Sequence, residues 1–135
     1  MKQISRNHYH EAATKAAERA ILGYIQIGEP VYVISDSTGK ISKMSFAKVY
    51  MREEKYGASN FKCDIVAETS DGRKVYFEIM NTNDFRKNKE KLHAIQSQNC
   101  LVLYLDIRTC VQNFTLSELP DAITSTIIYQ GFRTL

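Results

Sequence analysis

Hydrophobic and polar positions change period several times along the chain. Residues 8–25 carry Ala12, Ala13, Ala16, Ala17, Ala20, Ile21 and Tyr24 at helical spacing. That spacing predicts a helix with a wide apolar face, small enough in its alanines to lie close against a sheet. Asn7 is its candidate N-cap, and Gly28 and Pro30 end it. Val31-Tyr32-Val33-Ile34 reads as a short strand, residues 35–40 as a turn, and residues 44–52 as a second strand. Residues 53–60 are polar and contain Gly57, which predicts a loop.

Residues 61–68 and 74–80 then form the clearest hairpin signal, with Ser70-Asp71-Gly72 between them. Residues 82–98 return to helical spacing, with Thr82 or Asn83 as cap and Phe85, Leu92 and Ile95 as a narrow apolar stripe. Leu101-Val102-Leu103-Tyr104-Leu105 is continuously apolar, as a central strand covered on both faces requires, and such strands favour parallel pairing. A helix near 116–124 and a strand or extended tail at 126–135 complete the order. The expectation is a single α/β (α+β) domain over 1–135, with a mixed central sheet flanked by helices.

The hairpin contains the candidate chemistry. A two-residue loop sets Asp64 opposite Ile79, and the acids Asp64 and Glu78 face opposite ways. A three-residue Ser70-Asp71-Gly72 loop sets Asp64 opposite Glu78 and places glycine at the position that needs a left-handed backbone. It also puts Cys63, Ile65 and Ala67 on the side of Val75, Phe77 and Ile79, making one apolar face. Core burial therefore selects the register that pairs the acids. Opposed carboxylates repel unless compensated, and a divalent cation is one compensation; solvation on an open sheet face is the other.

An acid on one strand, a hairpin, an acid on the next strand, a helix and an apolar strand together resemble the PD-(D/E)XK nuclease superfamily. The closest pattern is that of the competence protein CoiA-like branch. Cys63-Asp64-Ile65, Glu78-Ile79-Met80-Asn81-Thr82 and Val102-Leu103-Tyr104-Leu105-Asp106-Ile107 carry the resemblance. It implies a restriction-endonuclease-like αβββαβ core and metal-dependent cleavage of DNA. It makes Asp64, Glu78 and the main-chain carbonyl of Ile79 ligands of Mg²⁺ or Mn²⁺. Glu11 or Glu18 would be an additional acid, with Glu53 and Glu54 as further candidates. Met80 departs from the motif, which has lysine there; Lys15, Lys62 and Lys74, in that order, are candidate substitutes. The alternative is a catalytically inactive nuclease-fold module that binds nucleic acid or a protein partner.

Charge adds a nucleic-acid surface to this picture. The net charge of +3 over 135 residues is mildly basic, so distribution matters more than sum. Arg86, Lys87, Lys89 and Lys91 crowd one predicted helix and spread over its exposed arc. They and the hairpin lysines are candidate phosphate contacts, with a solvated face as the alternative. His8, His10 and His93 lack ligand spacing. Cys63, Cys100 and Cys110 are odd in number and without metal-site spacing, which suits buried thiols in a reducing cytoplasm. No apolar run approaches the roughly 20 residues of a membrane span. Homodimerisation is plausible for so small a DNA-binding unit.

Overall fold

A computed structural model describes residues 2–50, 52–81 and 84–135, with side chains from His8 onward. Four α-helices and a seven-stranded mixed sheet account for most of the described chain. Helix α1 spans Lys2–Ile27, so Asn7 lies inside it rather than capping it. Strands β1 (Val31–Ser35), β2 (Ile41–Met44) and β3 (Phe46–Tyr50) follow, then the hairpin β4 (Ile65–Thr69) and β5 (Lys74–Met80). A short 3₁₀ turn at Phe85–Lys87 precedes α2 (Lys89–Ser97), β6 (Leu101–Asp106), α3 (Arg108–Asn113), α4 (Leu119–Gln130) and β7 (Phe132–Thr134).

The sheet order is β2-β1-β7-β6-β5-β4-β3. Strand β5 runs parallel to β6, as the unbroken apolar run at 101–105 predicts, and antiparallel to β4. The single expected strand at 44–52 is instead two strands, β2 and β3, separated by Ser45 alone. These two sit at opposite ends of the sheet order. A flat sheet of this size would hold its outer strands about 29 Å apart, at ~4.8 Å per step. Two residue steps cover at most about 7 Å. The sheet must therefore curl, and 41–50 runs as one bent strand that joins both edges.

The two sheet faces bury different cores. Ala13, Ala16, Ala17 and Ile21 of α1 and Leu119, Ile123 and Ile127 of α4 pack with Ile65, Ala67, Val75, Phe77, Ile79, Leu103 and Phe132. On the other face, Phe85 and Ile95 cover Val66, Met80, Val102 and Tyr104, together with Tyr56 and Cys63. The loop at 53–60 is thus less polar in effect than its composition suggests, because Tyr56 is fully buried.

Helix 82–98 is shorter than expected. Thr82 and Asn83 lie outside the described residues. The visible caps are Asp84, which accepts from the Arg86 N–H, and Asn88, which accepts from the Lys91 N–H. Asn88 therefore restarts the helix at Lys89 and leaves Arg86 and Lys87 on a separate turn. At the C-terminus, α3 is an unanticipated element. The extended tail contracts to β7, because residues 126–130 continue α4.

Candidate functional site

The hairpin register is the one that apolar burial selects. Ile65 pairs with Phe77, Val66 with Tyr76, Ala67 with Val75 and Glu68 with Lys74. Thr69 accepts from the Gly72 N–H and donates its own N–H to Arg73, closing the Ser70-Asp71-Gly72 loop with Gly72 at φ 88°. One step beyond Ile65 the ladder changes. The Asp64 N–H donates to Phe77 O at 2.9 Å, so Asp64 and Ile65 oppose the same residue, the signature of a β-bulge. The bulge corrects two expectations. Cys63 packs with Val66 rather than with Ile65 and Ala67. Asp64 is turned out of strict opposition to Glu78.

Asp64 is redirected toward the end of β5. Its Oδ2 accepts the Ile79 N–H at 2.8 Å and stands 3.4 Å from His10 Nε2 on α1. The hydrogen bond to Asp64 raises the His10 pKa against the opposing effect of burial, with smaller upward contributions from the Ile79 backbone and the Glu78 charge. Asp64, His10 and the Ile79 main chain therefore converge where β4 gives way to the bulge.

Glu78 lies on the other face and is only 5% exposed. Tyr56 Oη donates to its Oε2 at 2.6 Å, and Lys91 Nζ donates to its Oε1 at 2.8 Å. Burial pushes the Glu78 carboxyl up; Lys91 and Tyr56 oppose that push and the Asp64 charge adds to it. The charge of Asp64 is thus felt, weakly, at Glu78. Burial, reinforced by Glu78, also raises the Tyr56 phenol, so it stays a donor. Cys63 beside them is pushed up to about 11 by burial, which keeps it a thiol.

Comparison with protein-family models, curated proteins and solved structures finds no match to this chain. The site is therefore read from its own residues.

The remaining candidates divide by position. Glu11 and Glu53 line a cleft of about 390 Å³ with His10, Thr14, Arg52 and Asp64. Glu18 and Glu54 are outside it; Glu54 instead takes Lys74 and Arg52, each at 3.0 Å. Lys15 pairs with Glu11 at 3.3 Å and Lys62 with Glu53 at 3.6 Å, both on exposed surface. None of Lys15, Lys62 and Lys74 forms an ion pair with Asp64 or Glu78 among the described residues.

The basic helix is corrected at two positions. Arg86 is held bidentately by Asp84 at 2.9 and 2.7 Å and donates to Tyr104 Oη at 2.8 Å, so it ties the 3₁₀ turn to the sheet. Lys91 points inward to Glu78 rather than out over the solvated arc. Lys87 and Lys89 are exposed, as a phosphate contact requires.

Sequence reasoning missed Tyr56 and the inward Lys91, and gave His10 no more weight than His8 and His93. An aromatic residue in a polar loop was the available signal for Tyr56. For Lys91, the signal was its position one residue before Leu92 of the apolar stripe.

The donor chemistry suits a hard divalent cation. Asp64, Glu78 and the Ile79 carbonyl offer only oxygen, and a carboxylate oxygen with one donor keeps a second lone pair. Among the described residues, no cluster of three or more His, Cys, Asp and Glu side chains is placed to hold a metal.

Proposed function

We propose that this protein is a metal-dependent nuclease that hydrolyses phosphodiester bonds in DNA. One observation carries the reading: Asp64 and the buried Glu78 flank a single peptide, with Asp64 bonded to the Ile79 N–H and its charge felt by Glu78. The order α1, β3-β4-β5 meander, α2, then β6 parallel to β5 supports the restriction-endonuclease-like αβββαβ core.

In this reading Asp64, Glu78 and the Ile79 carbonyl would hold Mg²⁺ or Mn²⁺. The cation, when bound, makes water a stronger acid and neutralises charge on the phosphate oxygens. Tyr56 and Lys91 fix the Glu78 carboxylate, and the Ile79 N–H fixes Asp64. The water oxygen forms a new bond to phosphorus while the ester P–O bond breaks. One water proton passes to the departing alkoxide, and the other stays on the phosphate or reaches solvent. Lys87 and Lys89 contact flanking phosphates, adding affinity that falls with salt.

A second reading is an inactive module on the same fold that binds nucleic acid or a protein partner. It is favoured by Met80, which carries no charge, and by Glu78, each of whose oxygens already accepts one bond, from Tyr56 and Lys91. Incubation with plasmid and single-stranded DNA, with and without Mg²⁺ or Mn²⁺, decides between them. Metal-dependent cleavage lost in Asp64→Ala and Glu78→Ala is the expected result. Salt-sensitive retention of DNA without cleavage overturns the nuclease and supports the module. If neither cleavage nor retention is seen at low salt, both nucleic-acid readings fall.

A further inference from the structure

We propose that the open part of the sheet, over β7, β1 and β2, is a platform for single-stranded nucleic acid. Tyr32 stacks on a base there, and Lys43 and Arg133 meet phosphates. The platform shares its class of partner with the reading above. It uses none of the residues that line the cleft at Asp64, and it holds whether or not strands are cut.

The face is open because of how the two cores divide. Val31 and Val33 of β1 and Phe132 of β7 turn toward α1 and α4 and are buried. The alternate residues Tyr32, Ile34 and Arg133 therefore turn to the side on which Phe85 and Ile95 pack. That second core reaches only as far as Tyr104 of β6; among the described residues, none from β7, β1 or β2 belongs to it. The register carries the open face onto β2, where Lys43 opposes Tyr32 and Ile41 opposes Ile34. Tyr32 is 42% exposed and Ile41 62%.

Flat apolar surface edged by cations lies there. Lys43 Nζ stands 5.6 Å from the centre of the Tyr32 ring, and Lys43 pairs with no carboxylate among the described residues. At the start of β7 the neighbour of Tyr32 is Gly131. A Cβ there would lie 2.8 Å from the Tyr32 Cβ, so glycine keeps that flank of the side chain clear. Arg133 sits beside Ile34, and Asp36 accepts from its Nε at 2.8 Å, which fixes the guanidinium on this face.

These residues select among anionic partners. A duplex keeps its bases stacked inside and offers the sheet only phosphates, which leaves Tyr32 and Ile41 uncovered. An acidic polypeptide satisfies the cations but brings no flat ring to the tyrosine. A single strand offers a base face to Tyr32 and phosphates to Lys43 and Arg133.

The test is fluorescence anisotropy of labelled oligo(dT) and oligo(rU), about 15 nucleotides long, with EDTA present so that no strand is cut. Wild type, Tyr32→Ala, Tyr32→Phe and Lys43→Met are compared over a salt series, with folding checked by circular dichroism. Wild type is expected to bind the single strands more tightly than a duplex of equal length. Tyr32→Ala should weaken binding roughly 5- to 100-fold, as for loss of one stacked base, while Tyr32→Phe stays near wild type. Lys43→Met should lower the slope of log affinity against log salt by about 0.7, as for one phosphate contact. Lys43 is exposed, so this variant keeps the test decisive should Tyr32→Ala fail to fold. Binding of either sugar supports the platform, and the tighter of the two names the natural source.

A folded Tyr32→Ala that binds like wild type, or an unchanged salt slope in Lys43→Met, moves the contact elsewhere and overturns the platform. So does a duplex bound at least as tightly as the single strands. Polyglutamate bound as tightly as the oligonucleotides overturns it in favour of an acidic protein partner. Because EDTA silences cleavage, a failed nuclease leaves these outcomes unchanged, and a failed platform leaves the Asp64 cleft untouched.

Discussion

At the scale of single residues, the buried polar contacts carry the sharpest consequences. Tyr56 and Glu78 are both buried, so the Glu78 oxygen that Tyr56 serves cannot turn to water for a replacement donor. Tyr56→Phe keeps the ring and removes the donor, leaving a buried acceptor unpaired, so it should cost about 1–3 kcal/mol. The urea midpoint should fall with an unchanged slope. Arg86 holds Asp84, whose side chain is 6% exposed, while Arg86 itself is one-third exposed. Breaking a buried pair costs about 3–5 kcal/mol, and partial solvation of Arg86 reduces that to about 2 for Arg86→Met. The Arg86 hydrogen bonds hold the Asp84 carboxyl below its ordinary value. A depressed carboxyl stabilises the fold above its unfolded pKa of roughly 3.9 and loses that contribution as pH falls through the folded value. The melting-temperature gap between wild type and Arg86→Met should be widest near neutrality and close on acidification. A gap that persists at pH values below both pKa values would show that Arg86 acts through its hydrogen bond and ring contact with Tyr104 rather than through the Asp84 charge.

At the scale of elements, glycine geometry distinguishes the two turns that matter most. Gly72 closes the hairpin at φ 88° with open space around a would-be Cβ. Gly72→Ala therefore meets only backbone strain, about 1–2 kcal/mol. Gly131 ends α4 at φ 75°, and a Cβ there would lie 2.4 Å from the Tyr32 carbonyl oxygen. That oxygen belongs to β1, which pairs with β7, so relief would have to move backbone. Gly131→Ala should destabilise clearly more than Gly72→Ala in the same thermal assay, and the reverse order would contradict the β1–β7 geometry. The hairpin turn was legible because Gly72 and two apolar faces agree on one loop length. The bulge at Asp64 was not, because period-2 alternation assumes a ladder that continues, and here Asp64 replaces it with a side-chain bond to the Ile79 N–H.

Across the whole molecule, curling of the sheet organises stability. Strands β5 and β6 lie inside the order with helices against both faces, whereas β2 forms an end and is largely exposed. Native-state hydrogen exchange should be slowest in β5 and β6 and fastest in β2. Comparable protection across all seven strands would mean that the bent strand at 41–50 locks the edges as firmly as the centre. Among the described residues, no helix is long and apolar enough to cross a membrane.

The sequence by itself determined the first helix, the hairpin register as far as Ile65 and the parallel β5–β6 pairing. Each follows from local spacing, loop chemistry or the demand that apolar residues share a face. Tertiary structure alone decided that β2 and β3 close the sheet from opposite ends and that β7 enters between β1 and β6. It also turned Asp64 toward His10 and brought Tyr56 and Lys91 onto Glu78. These contacts join residues from separate elements, and periodicity along one strand or helix says nothing about what a distant element will bring to it.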